Sequence, residues 1–370
     1  MTLFRWLRRL LSGPAAVLAR PGPERAPVAG AAAHDGAAGV PHTAMRSHPA
    51  AAARAGAAPV SFEQLERIDC EWNAWLFDYP EHTGLALNDA ETRVLDALAA
   101  ILASQQPGAA LVRRMPGLAP QLLHSLRSAH SPGNALARTI SPDAVLAAAV
   151  IRLANSCRQG AGSAIASLDH AVILVGQEGL RQLATSAAFR PVIDGNSGLY
   201  TRRMAPRLWE HAERCAASAR QLAPEMGVAP FDAFLAGLLQ NTGQILALRI
   251  MDQVARGERR LGAEPFLVQL ARDARALSCG IAREWHFPDT VAQALQEQGE
   301  AQERGSPQRG APMSPLGRLL KLTGYLGKVR LLVEGGLLDE SDATLFTGLA
   351  PNAARCYSAL AASREPSPGN

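Results

Sequence analysis

An all-α fold is expected for this 370-residue chain from three observations. Apolar residues from Val60 onward recur three and four positions apart, the spacing of one helix face. Cap-like polar clusters open these runs and Gly or Pro closes them. Alternating strand patterns are scarce. A hydrophobic fraction of 48% is enough for a sizeable core and excludes disorder throughout.

Residues 1–58 lie outside that pattern. Leu3, Trp6, Leu7 and Leu10 would share one side of a short helix and Arg5, Arg8 and Arg9 the other. Such a basic amphipathic segment suits weak contact of residues 1–12 with an anionic membrane surface. It stops at Gly13-Pro14, so a frayed terminus or one docked on the body is the simpler expectation. The Ser12-Gly13-Pro14 break also argues against a secretory signal. Residues 13–58 are rich in Ala, Gly and Pro without periodicity and read as a disordered linker. Residues 1–58 thus form a low-complexity basic tail.

Residues 59–110 form an N-terminal helical segment. Trp72, Trp75, Leu76 and Phe77 make an aromatic cluster closed by Tyr79-Pro80. Asn88-Asp89-Ala90-Glu91 has the form of a capped helix start, with Glu three residues after the cap. Val94, Leu95, Leu98, Ile101 and Leu102 continue one stripe up to Gln106-Pro107-Gly108. Ser141-Pro142-Asp143 is a second start signal, followed by Val145, Leu146, Ala149, Val150, Leu153 and Ala154. Helices are expected over 169–175 and 178–190, parted by Gly176, then over roughly 200–224, 231–253, 264–284 and 289–298. Residues 300–313 read as a linker. Two or three short helices are expected in a C-terminal segment, 314–362, with a disordered tail behind them.

The net charge of +4 alone would point to nucleic acid, but its location argues otherwise. Residues 1–58 hold seven arginines against two acids. The remaining 312 residues hold 30 basic side chains against 31 acidic ones, a poor partner for phosphates. No nucleic acid is therefore expected as a partner. The five cysteines lie far apart with no CxxC pair, so they read as reduced thiols of a cytoplasmic protein. No run of eighteen apolar residues is present to span a membrane.

Several ordered pieces over residues 111–299 resemble the HDOD domain, a bacterial relative of the HD-type metal phosphohydrolases. Met115-Pro116-Gly117-Leu118-Ala119 is similar to the opening LPxLP turn of that family, departing from it at Met115 and Ala119. Ile140-Ser141-Pro142-Asp143 and Ile151 to Asn155-Ser156 resemble its DP…NS helix, with the Asp-Pro order inverted. Ile165 to Gly176, Leu208-Trp209-Glu210-His211, Phe231 to Leu239 and Trp285-His286-Phe287-Pro288 resemble further pieces in the same order. The resemblance implies a helical HDOD bundle flanked by N- and C-terminal helices, and a role in bacterial regulation.

In HD phosphohydrolases a His, a His-Asp pair and a later Asp converge on a divalent metal, which polarises phosphate and supplies hydroxide. The matching positions here are degenerate: His211 is kept, Gln240 and Asn241 stand at the pair, and Ala274 stands where relatives often have His. Asp273 is alone beside it, and Ser278 replaces an expected Gly. Amide oxygens neither neutralise a dication nor match imidazole as donors. No metal, no cofactor and no catalytic residue is therefore expected, and the chain is expected not to be an enzyme.

The remaining candidates have simpler structural readings beside the functional ones. His211, His170 and His286 are isolated imidazoles, best read as hydrogen-bonded structural residues. Asn155 and Ser156 could meet a ligand, but Asn at a helix end more often caps backbone. Trp209 and Trp285 are carried as family-motif positions. Gly243 is read as a close helix contact and Arg158 to Ser163 as a connection, not a phosphate cradle. Leu319, Leu320, Leu322 and Tyr325 read as core packing or a partner surface. There is no Walker-type loop, GxSxG elbow or HExxH. The leading reading is a non-catalytic signalling module that binds a protein partner. A cyclic-dinucleotide phosphohydrolase and a membrane-surface adaptor are the alternatives. The sequence leaves the oligomeric state open.

Overall fold

The computed structural model describes residues 60–78, 86–104, 167–189, 198–255, 261–285, 287–303 and 313–361, with single positions between 137 and 165. The tail 1–58, the turn at 115–119, Asn155, Ser156, the 158–163 connection and His286 lie outside the described residues. What is described is helical, with no strand among these residues. The fold is an all-α bundle.

Two helices precede the body. Helix α1 spans Phe62–Phe77 and opens with a reciprocal capping box between Ser61 and Gln64. Asp78 ends it in a left-handed turn, φ 53°. Arg207 steadies that turn by donating to the carbonyls of Trp75 and Leu76 and to Asp78 Oδ1. Helix α2 spans Asp89–Leu102 with the Asn88–Glu91 capping box expected from the sequence. Glu91 is buried and does more than cap. Its other oxygen accepts the backbone N–H groups of Gly262 (2.7 Å) and Ala263 (2.8 Å), tying α2 to the start of a distant helix. A buried carboxylate is tolerable only with such donors around it.

Helix α3, Leu168–Phe189, is interrupted at Gly176 (φ 73°, ψ 170°), where the sequence places its break. The body follows. Helix α4 is Leu199–Leu222, continued by a 3₁₀ turn Ala223–Met226. Helix α5 is Pro230–Leu239, α6 is Thr242–Val254, α7 is Glu264–Glu284 and α8 is Asp289–Glu303. Helix α9, Pro315–Glu334, and α10, Pro351–Ala361, close the chain, with a 3₁₀ turn Ala343–Leu345 between them. The N-terminus of α4 is capped in trans. Asp252 of α6 accepts from the N–H groups of Tyr200 and Thr201, and a side chain at Gly198 would strike its carboxylate.

Two expectations need correction. One continuous helix over 231–253 was expected, but α5 and α6 are separate: Gln240 ends one, and Asn241 (φ −97°, ψ −2°) starts the next. Apolar periodicity runs through the break because both helices bury apolar side chains right up to it, Leu238 and Leu239 before and Ile245 and Leu246 after. Second, α8 continues to Glu303 into the expected linker, and α9 is a 20-residue helix, not a short one. The described bonds of Ser141 run backward, from both its N–H and its hydroxyl to the Ala137 carbonyl, and the rest of its expected helix start, 142–146, lies outside the described residues.

Helix α4 lies at the centre, packed against α5, α6, α9 and α10. Its contact with α5 is close enough that a Cβ on Gly237 would sit 2.5 Å from the Ala216 backbone. Helix α7 lies between α6 and α8, and α2 rests on α6 and α7. Helix α1 lies on α9 and touches α4. The core is continuous through these layers, with Trp285, Phe234 and Phe266 among its largest fully buried side chains.

Candidate functional site

The degenerate positions meet where α4, the α5–α6 break and α9 converge. His211 projects from the middle of α4 and is buried. Asn241, at the break, points its amide back at α4. Its Nδ2 donates to the Leu208 carbonyl at 2.7 Å and to His211 Nδ1 at 2.8 Å. The carbonyl partner fixes the amide orientation, so Nδ1 is an acceptor and carries no proton. His211 Nε2 then donates to the Gly324 carbonyl of α9 at 3.0 Å. The ring also lies 4.9 Å, centroid to centroid, from Trp72 of α1.

The chemistry of the ring follows from this enclosure. Burial, aided by the Lys328 ammonium, pushes the His211 pKa down to about 4, and the Gly324 carbonyl opposes this without offsetting it. The imidazole is neutral, with each nitrogen committed to a protein group. Cys215, one turn on, lies 3.4 Å from His211 Nε2 and donates to the Thr323 carbonyl at the same distance. Burial raises its pKa to about 12, so it is a thiol and not a nucleophile.

The break between α5 and α6 is held by Ser278 of α7. Its hydroxyl accepts from Gly243 N–H at 2.9 Å and donates to the Gln240 carbonyl at 3.2 Å, serving both helix ends. Gly243 sits hard against α7: a Cβ there would drive into the Ala274 carbonyl and lie 2.7 Å from Ser278 N. The Gln240 amide nitrogen turns back to the Gly237 carbonyl at 3.2 Å.

His211, Asn241 and Gln240 are thus brought together, whereas Ala274 faces Gly243 across the α6–α7 contact. Trp209 is buried on α4. Trp285 ends α7 and meets Phe287 edge-on, 6.1 Å between centroids. His170 begins α3, its N–H held by Ser167. The sequence reading named Ser278 only as a departure from an expected Gly and α9 only as core packing or a partner surface; it missed Cys215 at the site and the α9 carbonyls that meet His211 and Cys215. One signal was available: Gly324 and Gly327, three apart in a leucine-rich helix, mark a face where another helix comes close. A Cβ at Gly327 would lie 3.0 Å from His211 Cδ2 and 3.1 Å from Cys215 Sγ.

These side chains do not fit a divalent metal. The one imidazole has no free lone pair, no carboxylate stands beside it at the Gln240–Asn241 pair, and a backbone carbonyl of α9 takes its Nε2 proton. Among the described residues no group of three or more His, Cys, Asp and Glu side chains could hold a metal ion.

Around this centre α9 is fixed by ions. Arg214 of α4 makes two bonds to Glu334 of α9, 2.8 and 3.1 Å, and Arg330 meets the same carboxylate at 2.7 Å. Both arginines hold Glu334 below the usual carboxylate range against the effect of burial. Lys328 pairs with Asp69 of α1 and lies over the Trp72 ring.

The described residues thus form an all-α helical domain with an enclosed imidazole beside a helix break. The HDOD domain model matches residues 112–301, just over half of the chain, and the chain belongs to the HDOD domain family. It is similar in fold to an HDOD domain protein with unknown function from Geobacter sulfurreducens. That structure is 18% identical with a TM-score of 0.49, covering 74% of this chain and 95% of that one. A protein provisionally named a metal-dependent phosphohydrolase, from Shewanella amazonensis SB2B, is 18% identical with a TM-score of 0.47, covering 75% and 99%. One provisionally named a signal transduction protein, from Marinobacter aquaeolei VT8, is 20% identical with a TM-score of 0.47, covering 75% and 67%. Those names belong to those proteins, and nothing about the activity of this chain follows from them. Comparison with curated proteins finds no match to this chain. No helix among the described residues is long and apolar enough to cross a membrane.

Proposed function

We propose that the chain is a non-catalytic regulatory module of bacterial signalling that acts by binding a protein partner. The observation that carries this reading is the state of His211. Its two nitrogens are spent on Asn241 and Gly324, so neither can ligate a metal or move a substrate proton. A phosphohydrolase needs a metal-bound hydroxide or a general base in reach of phosphate, and the residues at the HD positions offer neither. Family membership supports a regulatory role, and a helical bundle of this kind works through its surfaces and conformational state. The reading places the protein in the cytoplasm.

The test has two arms. Purified full-length protein with Mn²⁺ and bis(4-nitrophenyl) phosphate should show no turnover above buffer, and neither should cyclic dinucleotides. A signalling protein captured reproducibly by the tagged chain in its native cell should bind the purified chain directly. Turnover abolished by His211→Ala, or absence of any direct partner, would overturn the proposal.

A further inference from the structure

The contact between α4 and α9 adds buried polar bonds to an apolar seam, which the contact between α4 and α5 does not show. The α4–α5 contact is a close apolar seam with Gly237 against Ala216. The α4–α9 contact has a glycine-spaced approach and buried apolar side chains too, Leu319, Leu326, Val329 and Leu332 among them, and is in addition pinned by polar groups: His211 to the Gly324 carbonyl, Cys215 to the Thr323 carbonyl, and Arg214 to Glu334. Interfaces rich in buried polar pairs are geometrically demanding and gain little net energy over an apolar seam.

The elements on the far side of this contact are tied to one another. Gln64 of α1 donates to the carbonyls of Thr344 and Thr347, and Arg67 reaches Asp342 and Thr344. Tyr325 of α9 donates to the Leu345 carbonyl, Lys328 pairs with Asp69, and Arg330 pairs with Glu340. With Arg330 of α9 also over the Tyr357 ring of α10, helix α1 and the last 49 described residues, 313–361, form one layer built from both ends of the described residues. All of it lies outside the 112–301 match.

We infer that α1, α9 and α10 form a cover that opens as a unit from the α4 face, releasing also the packing of α9 on α5 and α8 and its bonds to Glu297 and Gln298, while α4 to α8 stay folded, uncovering His211, Cys215, Asn241 and Arg214. The cover occupies the HD positions from within the chain and acts as a built-in autoinhibitory contact. That regulatory use rests on the interaction proposal; the opening itself does not.

Three buried thiols report on three interfaces. Cys215 lies under α9. Cys356 of α10 faces Gln221 of α4. Cys279 lies between α7 and α8, bonded to the Ala292 carbonyl. Full-length protein is alkylated with iodoacetamide across a shallow urea series, and each site is read by mass spectrometry and normalised to the unfolded chain. Cys215 and Cys356 should react together, at least about tenfold faster than Cys279 without denaturant, and with a weaker urea dependence. Exposed Cys70 is the internal control. Glu334→Gln should raise the first two rates and leave Cys279 unchanged. Equal rates and slopes at all three sites, or equal acceleration of all three by Glu334→Gln, would overturn the inference. If the chain lacks a protein partner but Cys215 and Cys356 still react ahead of Cys279, the interaction proposal fails and the opening stands.

Discussion

Asn241 hands one amide proton to the Leu208 carbonyl and the other to His211 Nδ1, 2.8 Å away, and this fixes the proton of the imidazole on Nε2. The break between α5 and α6, the tautomer of His211 and the seat of α9 are one chain of hydrogen bonds. Disturbing any link should be felt at the others.

Asn241→Ala removes the donor to Nδ1 and frees the Leu208 carbonyl. A buried hydrogen bond left half-made costs about 1–3 kcal/mol. Urea unfolding should show a loss in that range, with Asn241→Asp worse because a carboxylate faces the Leu208 carbonyl. Wild-type stability in Asn241→Asp would contradict the assigned amide orientation.

Ser278→Ala removes the hydroxyl that serves Gly243 N–H and the Gln240 carbonyl. A loss of about 1–3 kcal/mol is expected. Gly243→Ala should cost more, because its Cβ meets the Ala274 carbonyl, part of the backbone of α7. Comparing the two denaturation midpoints tests this order.

Acid should loosen the site. The folded pKa of His211 is about 4 against an ordinary 6.5, so between those values the unfolded chain binds the extra proton. The contribution is complete above pH 6.5 and is lost as the pH falls to 4, a change on the order of 3 kcal/mol. The proton would also put a donor on Nδ1 facing the Asn241 amide. Glu334 adds to acid loss at lower pH because its pKa is depressed. The stability difference between wild type and His211→Gln should therefore shrink from pH 7 to pH 4.5. A difference that does not change with pH would place the ring in contact with water.

Glu91→Gln keeps the shape but removes the charge that holds three backbone N–H groups at two helix starts. Hydrogen bonds to a charged group contribute about 1.5–3 kcal/mol. Thermal unfolding should fall accordingly, while Glu71→Gln on the exposed face of α1 should leave it unchanged.

The helices, the Asn88–Glu91 cap and the Gly176 break were legible because they depend on neighbours three or four residues apart. The enclosed imidazole was half legible: the absence of His and Asp at Gln240–Asn241 is plain in the sequence. What takes the place of ligands is not. The Gly324 carbonyl is backbone that any residue supplies, 113 positions from His211. The break at Asn241 was hidden because Leu238, Leu239, Ile245 and Leu246 keep one apolar period across it. Glu91 reads as a helix cap, and only the fold brings it to Gly262 and Ala263.

The most direct test of the enclosed site is metal content. Untagged full-length protein is incubated with Mn²⁺, Fe²⁺ or Zn²⁺, desalted and measured by elemental mass spectrometry. With both His211 nitrogens committed, no stoichiometric metal is expected, and His211→Ala should leave the trace level unchanged. Near one metal per chain, lost in His211→Ala, would contradict the assignment and return the protein to the metal phosphohydrolases.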